Sequence, residues 1–154
     1  MPSLPFLSRF RVVRHWAIVV LVVIYGACAE TSSPQPRALI MDVSGVTRLE
    51  VDITYATTAE ERQEGLSSLP PLGEGQGLLI RFPITTEVCI HNGPVAYPID
   101  AVFLDDEGDV VAVERSMAAL EPLARCHPGV RDVLEVRADV AIDVHPGMVM
   151  VLSH

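Results

Sequence analysis

From Thr47 to Tyr55 the side chains alternate without a break: Leu49, Val51, Ile53 and Tyr55 fall on one face of an extended chain, and Arg48, Glu50, Asp52 and Thr54 on the other. A period of two with one apolar face is the signature of a strand lying on a core with its other side in water. Short extended runs recur down the chain. Gly77 to Phe82 is mostly apolar and halted by Pro83, Thr86 to His91 is a second short segment, and Ile99 to Leu104 is apolar apart from Asp100. Val110 to Val113 follows, Asp132 to Val136 alternates again, and Met148 to Leu152 ends the series. The turn Asp105-Asp106-Glu107-Gly108-Asp109 makes a hairpin of its two neighbours, with Gly108 supplying a positive φ. Thr57-Thr58-Ala59-Glu60-Glu61 holds two overlapping capping boxes, Thr57 with Glu60 and Thr58 with Glu61, and starts a short helix that runs to about Gly65. Residues 67–76 carry Pro70, Pro71, Gly73 and Gly75 and read as loop. Residues 117–131, with Pro122, Pro128 and Gly129, read as a long connection, and 138–143 as one helical turn. About seven short strands, one real helix and no βαβ alternation predict a mainly β fold, a barrel or sandwich with one short helix.

The first residues belong to a different kind of segment. Arg9, Arg11 and Arg14 precede a wholly apolar run from Ala17 to Tyr25, with no acid before Glu30. Ala27 and Ala29 then fit the small-residue rule for a cleavage site, so 1–29 reads as a secretory signal. A retained anchor is the alternative, although the apolar stretch from Trp16 to Ala29 falls short of the roughly 20 residues a spanning helix needs. A bacterial lipoprotein signal is the third reading, with Gly26-Ala27-Cys28 as the end of a lipobox and Cys28 the lipidated first residue. Glu30 to Arg37 is a polar, proline-containing linker, and 38–154 is left as a single β domain. The expected location is therefore the periplasm or cell envelope.

Charge narrows the partners. Eleven basic residues, all arginine, stand against 20 acidic ones, a formal net charge of −9, and removal of residues 1–29 takes three arginines and no acid. A nucleic-acid binder must displace counterions from phosphates with a cationic surface, so nucleic acid is excluded as the expected partner. Contact with an anionic membrane is expected only through a lipid or an uncleaved N-terminal segment. A small molecule or an envelope protein stays open as partner. No cofactor is expected: the glycines at 73, 75 and 77 precede a strand and so cradle no phosphate at a helix start.

Four stretches in order carry a family resemblance: Thr58-Ala59-Glu60-Glu61-Arg62-Gln63-Glu64-Gly65-Leu66, then Gly77-Leu78-Leu79, then Pro98-Ile99-Asp100-Ala101-Val102-Phe103-Leu104-Asp105 with Gly108, and Val133-Leu134-Glu135-Val136. Together they resemble the bacterial and archaeal domain of unknown function 192 family over about residues 47–152. The resemblance implies a small, mainly β, often exported domain of unestablished biochemical role. Ile90-His91 fits one branch of that family without gaps, with Val95 where a Met is usual. Asp139 and Met148 stand where members usually have Gly and Asp.

Three side chains are candidates for chemistry. Asp100 sits in an apolar strand, where a carboxylate is costly unless bonded, so either it accepts backbone N–H groups from a loop such as 91–97 or it acts as a base or ligand in a pocket. Glu135 alternates with Val133 against Leu134 and Val136, which predicts solvent exposure. His91, beside the Asn92-Gly93-Pro94 turn, is placed to face Asp100. The three together, His91, Asp100 and Glu135, are the residue types of a small hydrolase or metal-dependent enzyme, but no local spacing enforces such a site. A non-catalytic accessory or binding module is the leading reading. The acidic turn 105–109 lacks the length and distal Glu of an EF-hand loop and reads as a solvated turn. Cys89 and Cys126 remain once the N-terminal segment is set aside, and in an oxidising compartment they are either a disulfide or two buried thiols.

Overall fold

The computed structural model describes residues 34–153; the signal or lipoprotein segment 1–29, Cys28 included, and the first part of the linker lie outside them. Seven strands make one sheet: β1 (Arg37–Met41), β2 (Thr47–Ala56), β3 (Gln76–Asn92), β4 (Ile99–Leu104), β5 (Val110–Met117), β6 (Glu121–Arg137) and β7 (Val149–Ser153). Their order is β5-β4-β6-β3-β2-β1-β7. The two ends of that order meet: Asp109 bridges Val149, the Val110 N–H donates to the Met148 carbonyl at 2.8 Å, and the Met150 N–H donates to the Gly108 carbonyl at 2.9 Å. The sheet is thereby closed at that point into a barrel, which covers one end of each edge strand. Gly108 makes the closure possible. Its φ is +90°, and a Cβ there would lie 2.9 Å from the Met150 carbonyl oxygen.

β2 and β3 are parallel and the other pairs antiparallel. A parallel pair needs a crossover, here helix α1 (Ala59–Glu64) and a 3-10 turn (Gly65–Ser68). Of the two overlapping capping boxes, Thr58 with Glu61 forms: the Thr58 hydroxyl accepts the Glu61 N–H, and the Glu61 carboxylate accepts the N–H groups of Thr57 and Thr58 at 2.8 and 2.9 Å. Those bonds hold the Glu61 carboxyl below its ordinary pKa.

Two apolar layers follow from the alternation. Ala38, Ile40, Val51, Leu79, Val102, Leu134 and Met150 belong to a cluster fed by all seven strands, which is the barrel interior. Leu78, Ile80, Ile99, Phe103 and Val133, the residues of opposite parity on β3, β4 and β6, form a second cluster with Ala56, Leu66 and Leu72. The crossover therefore roofs the outer face of these strands. β4 is buried at all six positions because both of its faces are covered.

Four expectations about elements are corrected. Pro83 does not end its strand, and Thr86–His91 is no separate segment: β3 runs for 17 residues, its register shifting between Arg81 and Thr86. The stretch 117–131 is mostly strand rather than connection, since β6 also runs for 17 residues against β3. Prolines cannot donate to a ladder, and these sit where pairing is already irregular. Residues 138–143 form turns, not a helical turn, with Asp139 at φ 71°. Arg37, read as the end of the linker, opens β1.

Candidate functional site

β4 and β6 carry a carboxylate on each face of their ladder. Asp100 pairs with Val136 and so points with it into the barrel interior, whereas Glu135 pairs with Ala101 and shares its outward face. The interior carboxylate is satisfied. Asp100 Oδ1 accepts the Ser116 N–H at 2.8 Å and Oδ2 accepts the Ala141 N–H at 3.1 Å. These amides come from the end of β5 and from the β6–β7 connection, not from the loop 91–97. Ser116 lies at φ 51°, where the β4–β5 register shifts and β5 leaves its ordinary ladder.

Glu135 is the opposite case. Contrary to the exposure its alternation predicts, it is only 5% exposed, because α1 and the 3-10 turn cover the face that a two-layer protein would leave wet. No hydrogen bond to its carboxyl forms among the described residues, and burial alone pushes its pKa up to about 7. The carboxyl lies in the wall of a cleft of about 230 Å³, whose other sides come from residues 62–66, Ile80 and the end of β3 from Cys89 to Asn92. The last of these, Asn92, is fully buried. Its Nδ2 donates to the carbonyls of Tyr97, Met117 and Ala118 at 2.9, 3.1 and 2.9 Å, which fixes the amide's orientation and leaves Oδ1 without a partner among the described residues. Asn92 was not a candidate on sequence grounds. The signal that could have found it is a lone amide between a strand and a Gly-Pro turn.

His91 is exposed at the rim of the same cleft, and its Nδ1 accepts the Gly93 N–H at 3.2 Å, so the neutral ring carries its hydrogen on Nε2. It does not face Asp100. The three candidates are thus divided: His91 and Glu135 line one cleft, and Asp100 is spent on backbone across the sheet. Among the described residues no three His, Cys, Asp or Glu side chains are grouped to hold a metal ion.

Cys89 and Cys126, directly opposite on β3 and β6, are joined as a disulfide that closes a loop of sequence separation 37. Constraining such a loop in the unfolded chain stabilises by about 4 kcal/mol in the chain-entropy picture. Cys89 also lines the cleft, so the bridge braces its wall. The acidic turn is held by its own backbone, Asp105 Oδ1 accepting the N–H groups of Glu107 and Asp109 at 3.0 and 2.9 Å. Asp132, which sequence reasoning passed over, is buried in a two-pronged pair with Arg81 at 2.8 and 2.9 Å, and that hydrogen bonding raises the guanidinium pKa. His127, expected in a loop, lies on β6 with Nε2 2.9 Å from Glu114 and its ring 4.5 Å from that of Phe103.

Solved structures share the fold. A protein from Sinorhizobium meliloti 1021 described as a "putative transcription regulator" is 22% identical, with a TM-score of 0.71, over 79% of this chain and 96% of that one. A protein of unknown function from Novosphingobium aromaticivorans DSM 12444 is 17% identical, with a TM-score of 0.69, over 79% of this chain and 89% of that one. At these identities the likeness is one of fold. A comparison with curated proteins finds no match. Residues 40–152 match the domain of unknown function 192 family, described as "Uncharacterized ACR, COG1430", and the chain belongs to that family, whose biochemical role is not established.

Proposed function

We propose that the protein is an exported or lipid-anchored domain of the cell envelope that acts without catalysis, as a small-ligand-binding or accessory module whose binding site is the cleft at Glu135. The observation that carries this reading is a buried carboxyl that takes no hydrogen bond among the described residues, set in the wall of a cleft. A fold leaves such a group unpaired at a cost, and departures from local consistency concentrate at functional positions. Neither of the other two sequence candidates hydrogen-bonds to Glu135 among the described residues. Asp100 is occupied on the far face, and His91 stands at the rim with one ring nitrogen engaged.

The arginine-flanked apolar leader with its small-residue cleavage site supports export, and the Cys89–Cys126 disulfide fits an oxidising compartment. The acidic net charge supports association with an anionic membrane through a lipid on Cys28 rather than through the domain's own surface.

Two measurements test the proposal. The intact mass of protein extracted from its host's membranes should lack the first 29 residues, or start at a lipidated Cys28; a mass of the whole 154 residues overturns export. A fragment screen read by amide NMR should perturb residues 62–66, 89–92 and 135 together. Turnover of a fragment, lost on Glu135→Gln, would overturn the non-catalytic reading.

A further inference from the structure

Two side chains of the cleft have oxygens left without partners among the described residues. Asn92 Oδ1 is buried and unbonded, held in that orientation by the three carbonyls that take Nδ2. The Glu135 carboxyl, in the wall of the same cleft, receives no hydrogen bond from the described residues either. Both are acceptors when the acid is ionised, so the complementary group is a donor, and a cationic donor answers the carboxylate's charge as well. Leu66, Ile80, Ile90 and Val95 make the apolar part of the wall, beside Arg62, Gln63, Glu64 and His91, and the volume of about 230 Å³ is below the usual range for drug-sized ligands.

We propose that the cleft binds the protonated amine of a small ligand with an apolar body, its N–H groups directed to the carboxylate of Glu135. This deepens the reading of the cleft as a binding site and rests on it.

The charged groups around Glu135 do not supply that partner. Arg62, from the end of α1, is engaged by the carbonyls of Thr57 and Arg81 and lies over the Phe82 ring, 5.7 Å from its centroid. Glu64 of α1 is a further acid on the cleft wall, and His91 of β3 spends Nδ1 on Gly93. The formal charge of −9 favours approach of a cation over an anion.

Binding of an ammonium requires ionised Glu135, so below neutral pH each binding event releases a proton and affinity falls as the pH drops. Benzylammonium, benzyl alcohol, benzoate and benzyltrimethylammonium separate the contributions: cation with donors, neutral donor, anion, and cation without N–H. Calorimetric titration of the full chain at pH 8 should give benzylammonium at least tenfold tighter binding than each of the other three. Its affinity should drop about tenfold per pH unit well below the Glu135 pKa, with heats that vary with buffer ionisation enthalpy near pH 6. Glu135→Gln, nearly isosteric, should retain a cooperative melt, lose at least tenfold for benzylammonium, and lose the pH dependence.

If benzyl alcohol or benzoate binds as tightly and moves the amides of 89–92 and 135, the amine assignment is overturned while the cleft remains a binding site. If benzyltrimethylammonium binds as tightly, the N–H donor role is overturned. If no compound moves those amides, both the ligand class and the binding-site reading fail.

Discussion

Two buried carboxylates sit one position apart across the β4–β6 ladder and meet opposite fates. Asp100 faces the barrel interior and takes two backbone N–H groups, one on each oxygen. Glu135 faces the covered outer layer and takes none among the described residues. Both are nearly inaccessible to solvent, so burial does not distinguish them. What does is the supply of donors. The interior end of the barrel supplies the amides of Ser116 and Ala141 to its acid, while the roof over Glu135, residues 62–66, sends it no donor among the described residues. The same residue type is a structural tie on one face and an open valence on the other.

That contrast can be broken from either side. The largest effect is expected for Asp100→Ala, which strands two buried N–H groups and should destabilise by about 4 kcal/mol in denaturant unfolding. A loss below about 1 kcal/mol would mean that the two amides find water instead.

Glu135→Gln should act with the opposite sign. The folded-state pKa of Glu135 lies above its ordinary value, so the native chain holds a proton that the unfolded chain releases, and stability is full below about pH 4.5 and drains away as pH rises towards about 7. Removing the charge should therefore stabilise on the order of 3 kcal/mol at pH 8 and leave stability at pH 4 nearly unchanged. Urea midpoints of the two proteins measured across that range provide the check, and parallel curves would contradict it.

Asp132→Ala tests an intermediate case, a buried acid paired with a half-exposed arginine. A loss of about 2 kcal/mol is expected, between that of a tied carboxylate and an open one. The smallest effect sharpens the comparison from the roof: Thr58→Ala removes the cap of α1 and should lower stability by about 1 kcal/mol. It should also raise hydrogen exchange at residues 59–65 without altering exchange at Ser116 or Ala141. Equal loosening of both faces would show that the two layers are not independent.

Sequence legibility followed the same divide. The β4–β5 hairpin and α1 could be read because alternation, a Gly-containing acidic turn and a capping box are local signals. Asp100 was legible as a costly acid, though not the amides that meet it, which lie 16 and 41 residues away. Glu135 was not legible. Its strand alternates as though one face met water, and nothing near it in sequence announces that residues about 70 positions earlier fold back as a roof. The long β3 and β6 strands were hidden by prolines, which signal interruption locally but are tolerated where the register slips. Asn92 was missed because its importance lies in three carbonyls brought from elsewhere.

The most direct test is a titration of the Glu135 side-chain carboxyl by carbon NMR in the wild-type chain. A midpoint near 7 is expected, moving down when benzylammonium is added at saturating concentration. A midpoint near 4.5, unmoved by the amine, would mean that the carboxyl is hydrated or bonded and that no open valence exists in the cleft.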